Sequence, residues 1–183
     1  MTLLARFGRI FPRNGVIDTV ETTTDFLVSP EDVWRSMLFY EEVPRRPGSL
    51  LRLLLPLPIS TRGDKTRVGA TIACNYENGY LEKEITGADA PRSLRFRVRI
   101  QQLGIEDSIV TSDGSYDIRG TADGGSHVVL TTRYVGHLRP RWLWRPIERA
   151  LAHTVHRHIL EGMRPLLEGA GRALPAKGPL PAE

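Results

Sequence analysis

The chain has 183 residues, of which 40% are hydrophobic, and its 25 basic and 21 acidic residues leave a net charge of +4. This length suits one domain with a single core, and the intermixed charges argue against a surface dedicated to nucleic acid. Cys74 is the only cysteine, which excludes an internal disulfide, and the longest apolar block is far shorter than the ~20 residues of a membrane span, so the cytoplasm is the expected setting.

The first segment, residues 1–15, places leucine, isoleucine and phenylalanine at helical spacing opposite three arginines. This pattern is typical of a basic amphipathic segment, which either packs on its own domain or lies on a membrane surface. We favour packing on the domain, because short segments of this kind commonly do so. The domain itself is expected to span residues 16–168.

A strand and a helix are predicted next. Polar and apolar residues alternate over residues 19–28, which is the pattern of a half-buried strand. Ser29 can cap a helix that has Pro30 and two acidic residues in its first turn. The apolar stripe of this helix comprises Val33, Trp34, Met37 and Leu38.

The middle of the chain combines a helical segment with a hairpin. Residues 44–66 are expected to form a short second helix and then a polar loop around Gly63 and Asp64. Alternating residues 68–76 and 80–88 flank Asn78-Gly79, a dipeptide typical of a tight hairpin turn.

Four more strands are predicted after this hairpin. Residues 94–101 alternate between apolar side chains and arginine or glutamine, so one face of this strand must be buried. Residues 105–111 and 115–119 are expected to form two strands joined by a turn at Asp113-Gly114. Residues 127–137 complete a set of seven strands.

The C-terminal region predicts a long helix. Pro140 and Pro146 mark its start, and its end is expected near Glu168. Its apolar residues recur every three or four positions, at Leu143, Ile147, Leu151, Val155, Ile159, Met163 and Leu166. Residues 169–183 have too few large apolar groups to offset the entropy of ordering and are expected to be disordered.

These elements predict an α+β domain. An open antiparallel sheet with one apolar face must cover that face, and the last helix is the only element long enough to do so. We therefore expect a helix-grip fold, in which a seven-stranded curved antiparallel sheet wraps around the long C-terminal helix, with one or two short helices after the first strand. A bent sheet cannot touch a straight helix along its whole length, so an apolar gap is expected between them.

Three stretches carry a family resemblance. They are VETTTDFLVSPEDVWRSM at 20–37, VGATIACNYENGYLEKEITGADAPRSLRFRV at 68–98 and VVLTTRYVGHLRPRWLWRPIERALAHTVHRHILEGMRPLL at 128–167. The chain resembles the START/Bet v 1-like superfamily, also called SRPBCC, and in particular its bacterial polyketide cyclase/dehydrase-like members. This resemblance covers roughly residues 16–168 and implies a cavity that different members use for lipids, quinones, plant hormones or polyketide intermediates.

Several elements are expected to contribute side chains to this cavity. The candidates are Trp34, Cys74, Tyr76, Phe96, Val98, Tyr116, Ile118, Tyr134, Leu151, Val155 and His158. Inward-facing tyrosines would present hydroxyl groups to an apolar space, although ordinary packing explains the tyrosines at least as well. For Trp34, a place in the core is the simpler interpretation.

The last helix carries three histidines that could have a chemical role. A rotation of about 100° per residue places His158 on the buried stripe and turns His153 and His156 toward the polar side. His158 is therefore the candidate for orienting a ligand or moving a proton, since its ordinary pKa lies near neutrality. A histidine at the edge of the core, bonded to a neighbour, is the favoured alternative. No metal site is expected, because the three imidazoles do not converge and arginines adjoin them.

Two further groups of polar residues have simple explanations. Glu82 and Glu84 could include an acid or base, but a solvated strand face accounts for them more simply. Near the start of the last helix, four arginines surround Trp142 and Trp144, which suits a membrane headgroup region or stacked bases. A helix entrance with exposed arginines and buried tryptophans is the simpler interpretation.

The sequence favours binding over catalysis. It has no G-x-S-x-G motif, no P-loop, no dinucleotide-binding glycine motif and no cysteine pair for zinc, and no cofactor is expected. The first hypothesis is the binding of a hydrophobic small molecule, such as a lipid, quinone or polyketide-like compound. The alternatives are a cyclase/dehydrase-type enzyme and a peripheral membrane module that handles lipid or quinone. The ligand and the oligomeric state stay open.

Overall fold

A computed structural model describes residues 16–39, 58–76 and 79–172 of the chain. The predicted amphipathic segment, the predicted second helix and the end of the predicted disordered tail lie outside these residues, as does Asn78 of the predicted turn. The strands are β1 (Ile17–Phe26), β2 (Pro58–Arg62), β3 (Thr71–Tyr76), β4 (Gly79–Asp89), β5 (Ser93–Gln102), β6 (Ile109–Gly120) and β7 (Ser126–Gly136). The helices are α1 (Pro30–Phe39) and α2 (Arg141–Arg172).

The seven strands form one antiparallel sheet in the order β1-β7-β6-β5-β4-β3-β2. Irregularities in register interrupt the pairing of β2 with β3, of β4 with β5 and of β6 with β7. Bulges of this kind bend strands, which helps a sheet to curve around a helix. With α1 after β1 and the long α2 at the end, the predicted α+β helix-grip fold is confirmed.

The sequence predicted the number of strands correctly but assigned two of them wrongly. The predicted turn at Asp113-Gly114 does not exist, because β6 runs through it as one strand. Gly114 lies opposite Phe96, and a Cβ atom on Gly114 would lie 2.7 Å from Cζ of that ring. The glycine therefore makes room for a neighbouring aromatic side chain.

The strand that the sequence did not predict is β2, which lies in the segment where only a helix and a loop were expected. β2 occupies one edge of the sheet and begins with Pro58. An edge position tolerates proline because one side of the strand needs no hydrogen-bonding partner. The loop that follows contains Gly63, whose φ of 127° favours glycine, so the predicted polar loop is confirmed.

Helix α1 begins as the sequence predicted. The Ser29 hydroxyl oxygen accepts a hydrogen bond from the Asp32 backbone N–H at 3.2 Å, and the hydroxyl donates to Asp32 Oδ2 at 2.8 Å. Val33, Trp34 and Met37 are buried in the core, whereas the side chain of Leu38 lies outside the described part of the structure.

Helix α2 differs from its prediction at both ends. It continues to Arg172, past the expected end at Glu168 and into the segment expected to be disordered. Near its start, Leu143 and Ile147 are each 42% exposed, so their predicted place on the buried stripe is wrong. At this end of α2, Arg141 and Arg145 form ion pairs with Asp18 on β1.

Helix α2 packs on β1 and β7 and also contacts α1. Leu160, Met163 and Leu167 are its most buried apolar side chains and belong to the main core. Because α2 packs mainly toward one side of the sheet, space remains over the central strands. Among the described residues, no helix is both long and apolar enough to cross a membrane.

Candidate functional site

A cavity with two lobes lies between the sheet and α2. The α1 lobe has a volume of about 80 Å³ and is lined by residues that include Met37, Thr61, Ile72, Cys74, Ile85 and Leu94. The α2 lobe has a volume of about 150 Å³ and is lined by residues that include Leu130, Thr132, Tyr134, Glu148, Leu151, Ala152, Val155 and His156. Tyr76, Lys83, Phe96, Tyr116 and Ile159 line both lobes, so the two spaces adjoin each other.

The structure brings most of the predicted cavity residues together. Those lining the cavity are Cys74, Tyr76, Phe96, Tyr116, Tyr134, Leu151 and Val155. Trp34, Val98 and Ile118 instead lie in the hydrophobic core. His158 is half-buried and is not among the described residues that line either lobe.

The orientation predicted for His153 and His156 is wrong. His156, expected on the polar side, is only 4% exposed and lines the α2 lobe. Its Nε2 lies 2.8 Å from Thr132 Oγ1, and its Nδ1 lies 3.0 Å from Thr22 Oγ1. His153 also reaches the sheet, with Nδ1 2.8 Å from Thr22 Oγ1.

The error in orientation has a physical cause in the phase of α2. The prediction took the phase from every apolar residue, including Leu143 and Ile147, which are exposed. Near the start of the helix, the buried face instead passes through Glu148 and His156. A pattern based on hydrophobicity alone passes over such residues, because it assigns polar side chains to solvent.

Burial lowers the pKa of His156 to about 4, and the positive charges of His153 and Lys83 act in the same direction. His156 is therefore neutral at pH 7, and its two ring nitrogens face threonine hydroxyl groups. This arrangement provides polar contacts inside the cavity without adding a charge.

We expect the stability of the protein to fall in acid because of His156. In the unfolded chain His156 binds a proton near pH 6.5, and in the folded chain it does so only near pH 4. The contribution of neutral His156 to stability is therefore complete above pH 6.5 and is lost as the pH falls toward 4. The free energy of unfolding should drop over this range by about 3 kcal/mol more than in His156→Gln. Urea unfolding across the pH range measures this difference, and parallel curves for the two proteins would contradict it.

Lys83 is one of the cavity residues that sequence reasoning missed. Its Nζ lies 4.2 Å from the centroid of the Phe96 ring, and the side chain lines both lobes. Within the described parts of the chain, no carboxylate forms an ion pair with it. The sequence did contain a signal, because Lys83 shares a strand face with Leu81 and Ile85, which are both buried.

The hydroxyl groups of Tyr76 and Tyr134 remain protonated at neutral pH. Burial raises the pKa of Tyr76 far above its ordinary value, and Cys74 and Tyr116 add to the effect. Burial, followed by the negative charges of Glu148 and Asp18, raises the pKa of Tyr134 to about 12. These groups can therefore donate hydrogen bonds inside a mainly apolar space.

An ion network near the start of α2 includes Glu148, which lines the α2 lobe. Arg141 donates from Nη1 to Glu148 Oε1 at 2.6 Å and from Nη2 to Asp18 Oδ2 at 2.7 Å. Arg145 Nε lies 2.5 Å from the other oxygen of Asp18. The expectation that the arginines here are exposed is therefore wrong for Arg141, which is largely enclosed by these partners.

Neither tryptophan near this helix start is buried. Trp142 is 78% exposed, contrary to the prediction that the tryptophans are buried. Trp144 Nε1 donates to the Arg139 carbonyl at 3.1 Å. Contact of this region with a membrane stays a prediction.

The other candidate polar groups lie away from the cavity. Glu82 and Glu84 line neither lobe, and Glu84 Oε2 lies 3.5 Å from Arg99 Nε. In the described parts of the chain, no three histidine, cysteine, aspartate or glutamate side chains are grouped as a metal site.

Comparisons with known proteins identify the fold. No protein-family model and no curated protein sequence matches the chain. Norcoclaurine synthase from Thalictrum flavum in complex with dopamine and hydroxybenzaldehyde has a similar structure, with a TM-score of 0.57 and 12% identity over 97% of this chain and 100% of that chain. A START superfamily protein from Mycobacterium smegmatis has a TM-score of 0.59 and 12% identity over 83% of this chain and 98% of that chain. The protein TTHA0849 from Thermus thermophilus has a TM-score of 0.54 and 17% identity over 84% of this chain and 99% of that chain.

Proposed function

We propose that this chain, which has the START/Bet v 1-like helix-grip fold, binds a hydrophobic small molecule between its sheet and α2. The observation that carries this proposal is the cavity with two lobes, whose lining is mainly apolar. Concave sites of this composition, with a few well-placed polar groups, are typical of small-molecule binding. Cys74, Tyr76, Phe96, Tyr116, Leu151 and Val155 are the proposed apolar and aromatic contacts.

The size of the cavity favours a ligand built on one ring. An apolar cavity of about 150 Å³ can hold a molecule the size of benzene. The α2 lobe has this volume, and the α1 lobe adds a smaller space next to it. We therefore expect a monocyclic group in the α2 lobe with a short substituent toward the α1 lobe.

A structural neighbour is consistent with this ligand class. The norcoclaurine synthase structure contains dopamine and hydroxybenzaldehyde, and each of these compounds has a single aromatic ring. Identity to that enzyme is only 12%, so the likeness supports the architecture of the cavity rather than a shared reaction.

Calorimetry with an apolar probe that matches the size of the cavity tests the proposal. We expect 1-ethyl-4-methylbenzene to bind with a stoichiometry of one and to raise the melting temperature as its concentration rises. Native mass spectrometry of protein purified from its own host should reveal a retained small molecule and its chemical class. Absence of both the retained molecule and saturable probe binding would refute the proposal.

A second candidate function is catalysis of the cyclase/dehydrase type. Lys83 favours it, because an ammonium group in an apolar cavity can stabilise an oxygen that becomes negative during a reaction. The neighbouring Tyr76 and Tyr116 could donate hydrogen bonds to the same oxygen. His158, the catalytic candidate from the sequence, stays a prediction. Recovery of the retained molecule unchanged after incubation would favour binding, and its conversion would favour catalysis.

A further inference from the structure

Two buried polar atoms in the α2 lobe lack a hydrogen-bonding partner among the described residues. They are the Tyr134 hydroxyl oxygen and Glu148 Oε2. Both residues are only 2% exposed, and both line the lobe. Buried polar atoms are nearly always hydrogen-bonded in folded proteins, and an unpaired one lowers stability. Two such atoms in the same lobe therefore indicate that the lobe accepts a polar group.

The position of Glu148 is fixed by its surroundings. Arg141 holds Oε1, which leaves Oε2 as the oxygen without a partner. Gly136 lies against that second oxygen, since a Cβ atom on Gly136 would be 2.5 Å from Oε2. The carboxylate is thus held between a guanidinium group and the backbone at the end of β7.

The charges around Glu148 are balanced without a ligand. The carboxylates of Glu148 and Asp18 face the guanidinium groups of Arg141 and Arg145. A ligand ammonium group would leave an excess positive charge in this buried place, and a ligand carboxylate would face Glu148 Oε2. A neutral hydrogen-bond donor adds no charge and places no second carboxylate against Glu148 Oε2.

We infer that Glu148 and Tyr134 bind a hydroxyl group on the ring of the ligand. This inference rests on the proposed function and specifies its ligand class, a ring compound that carries a neutral hydroxyl group. The ligand hydroxyl donates a hydrogen bond to Glu148 Oε2 and accepts a hydrogen bond from the Tyr134 hydroxyl. One hydroxyl group can make both bonds, because it has one donor and two acceptor positions.

The test compares 4-ethylphenol with 1-ethyl-4-methylbenzene, which replaces the hydroxyl by a methyl group of similar size. By isothermal titration calorimetry, the wild-type protein should bind the phenol about tenfold more tightly than the hydrocarbon. Tyr134→Phe and Glu148→Gln should each weaken phenol binding about tenfold and leave hydrocarbon binding within about threefold of wild type. Thermal unfolding shows whether each variant is folded. If Glu148→Gln does not fold, Tyr134→Phe alone tests the inference.

Tyr80→Phe is the matched control, because it removes the same hydroxyl group from a strand residue that lines neither lobe. It should keep the wild-type preference for the phenol. If the wild type binds the hydrocarbon as tightly as the phenol, or if Tyr134→Phe keeps the preference, the inference is wrong while the proposed function stands. If neither compound binds, both the proposed function and this inference fail.

Discussion

Replacing Arg141 with methionine is expected to lower the free energy of unfolding at pH 7 by about 3–5 kcal/mol. Asp18 and Glu148 are 3% and 2% exposed, and Arg141 is the cation that contacts both. Without it, Glu148 would have no ion-pair partner among the described residues, and Asp18 would keep only Arg145. A buried charge that loses its partner is strongly destabilising, and urea unfolding measures the loss.

Arg145→Met provides a matched control for this prediction. Arg145 contacts the same carboxylate, Asp18, but its side chain is 54% exposed. Water screens the charge of Arg145, and Asp18 keeps Arg141 when Arg145 is replaced, so we expect a loss of about 1 kcal/mol or less. If Arg141→Met and Arg145→Met destabilise the protein equally, the burial of the network does not determine its contribution.

Most of the fold was predictable because alternation along a strand directly reports a sheet with one buried face. Strand β5 shows this most clearly, since Leu94, Phe96 and Val98 are buried and the arginines between them are exposed. The error at Gly114 arose because Asp-Gly is typical of turns, and only the neighbouring strand reveals the Phe96 ring that requires a glycine there. Local sequence could not supply that tertiary contact.

The candidate site was predictable only in its apolar part. Cys74, Phe96 and Leu151 were expected at the cavity because apolar residues at regular spacing face the interior. Lys83 and Glu148 were not expected there, because a polar residue in such a pattern is normally assigned to solvent. Their positions depend on particular partners, the Phe96 ring for Lys83 and the Arg141 guanidinium for Glu148.

Filling the α2 lobe should have the largest effect on ligand binding. Ala152 lines this lobe from α2, so Ala152→Phe would introduce a benzene-sized ring into a space that holds about one such ring. We expect the affinity for 1-ethyl-4-methylbenzene to fall at least about a hundredfold, which corresponds to a loss of roughly 2.7 kcal/mol in binding free energy. Isothermal titration calorimetry measures this loss.

The matched control for this substitution is Ala150→Phe. Ala150 is exposed on the same helix and lines neither lobe, so the same added ring should leave the affinity within about threefold of wild type. Stability separates occlusion from misfolding, because a ring that fills an existing cavity adds apolar contacts and need not destabilise the fold. If folded Ala152→Phe binds the hydrocarbon as tightly as Ala150→Phe does, the ligand occupies a place other than the α2 lobe.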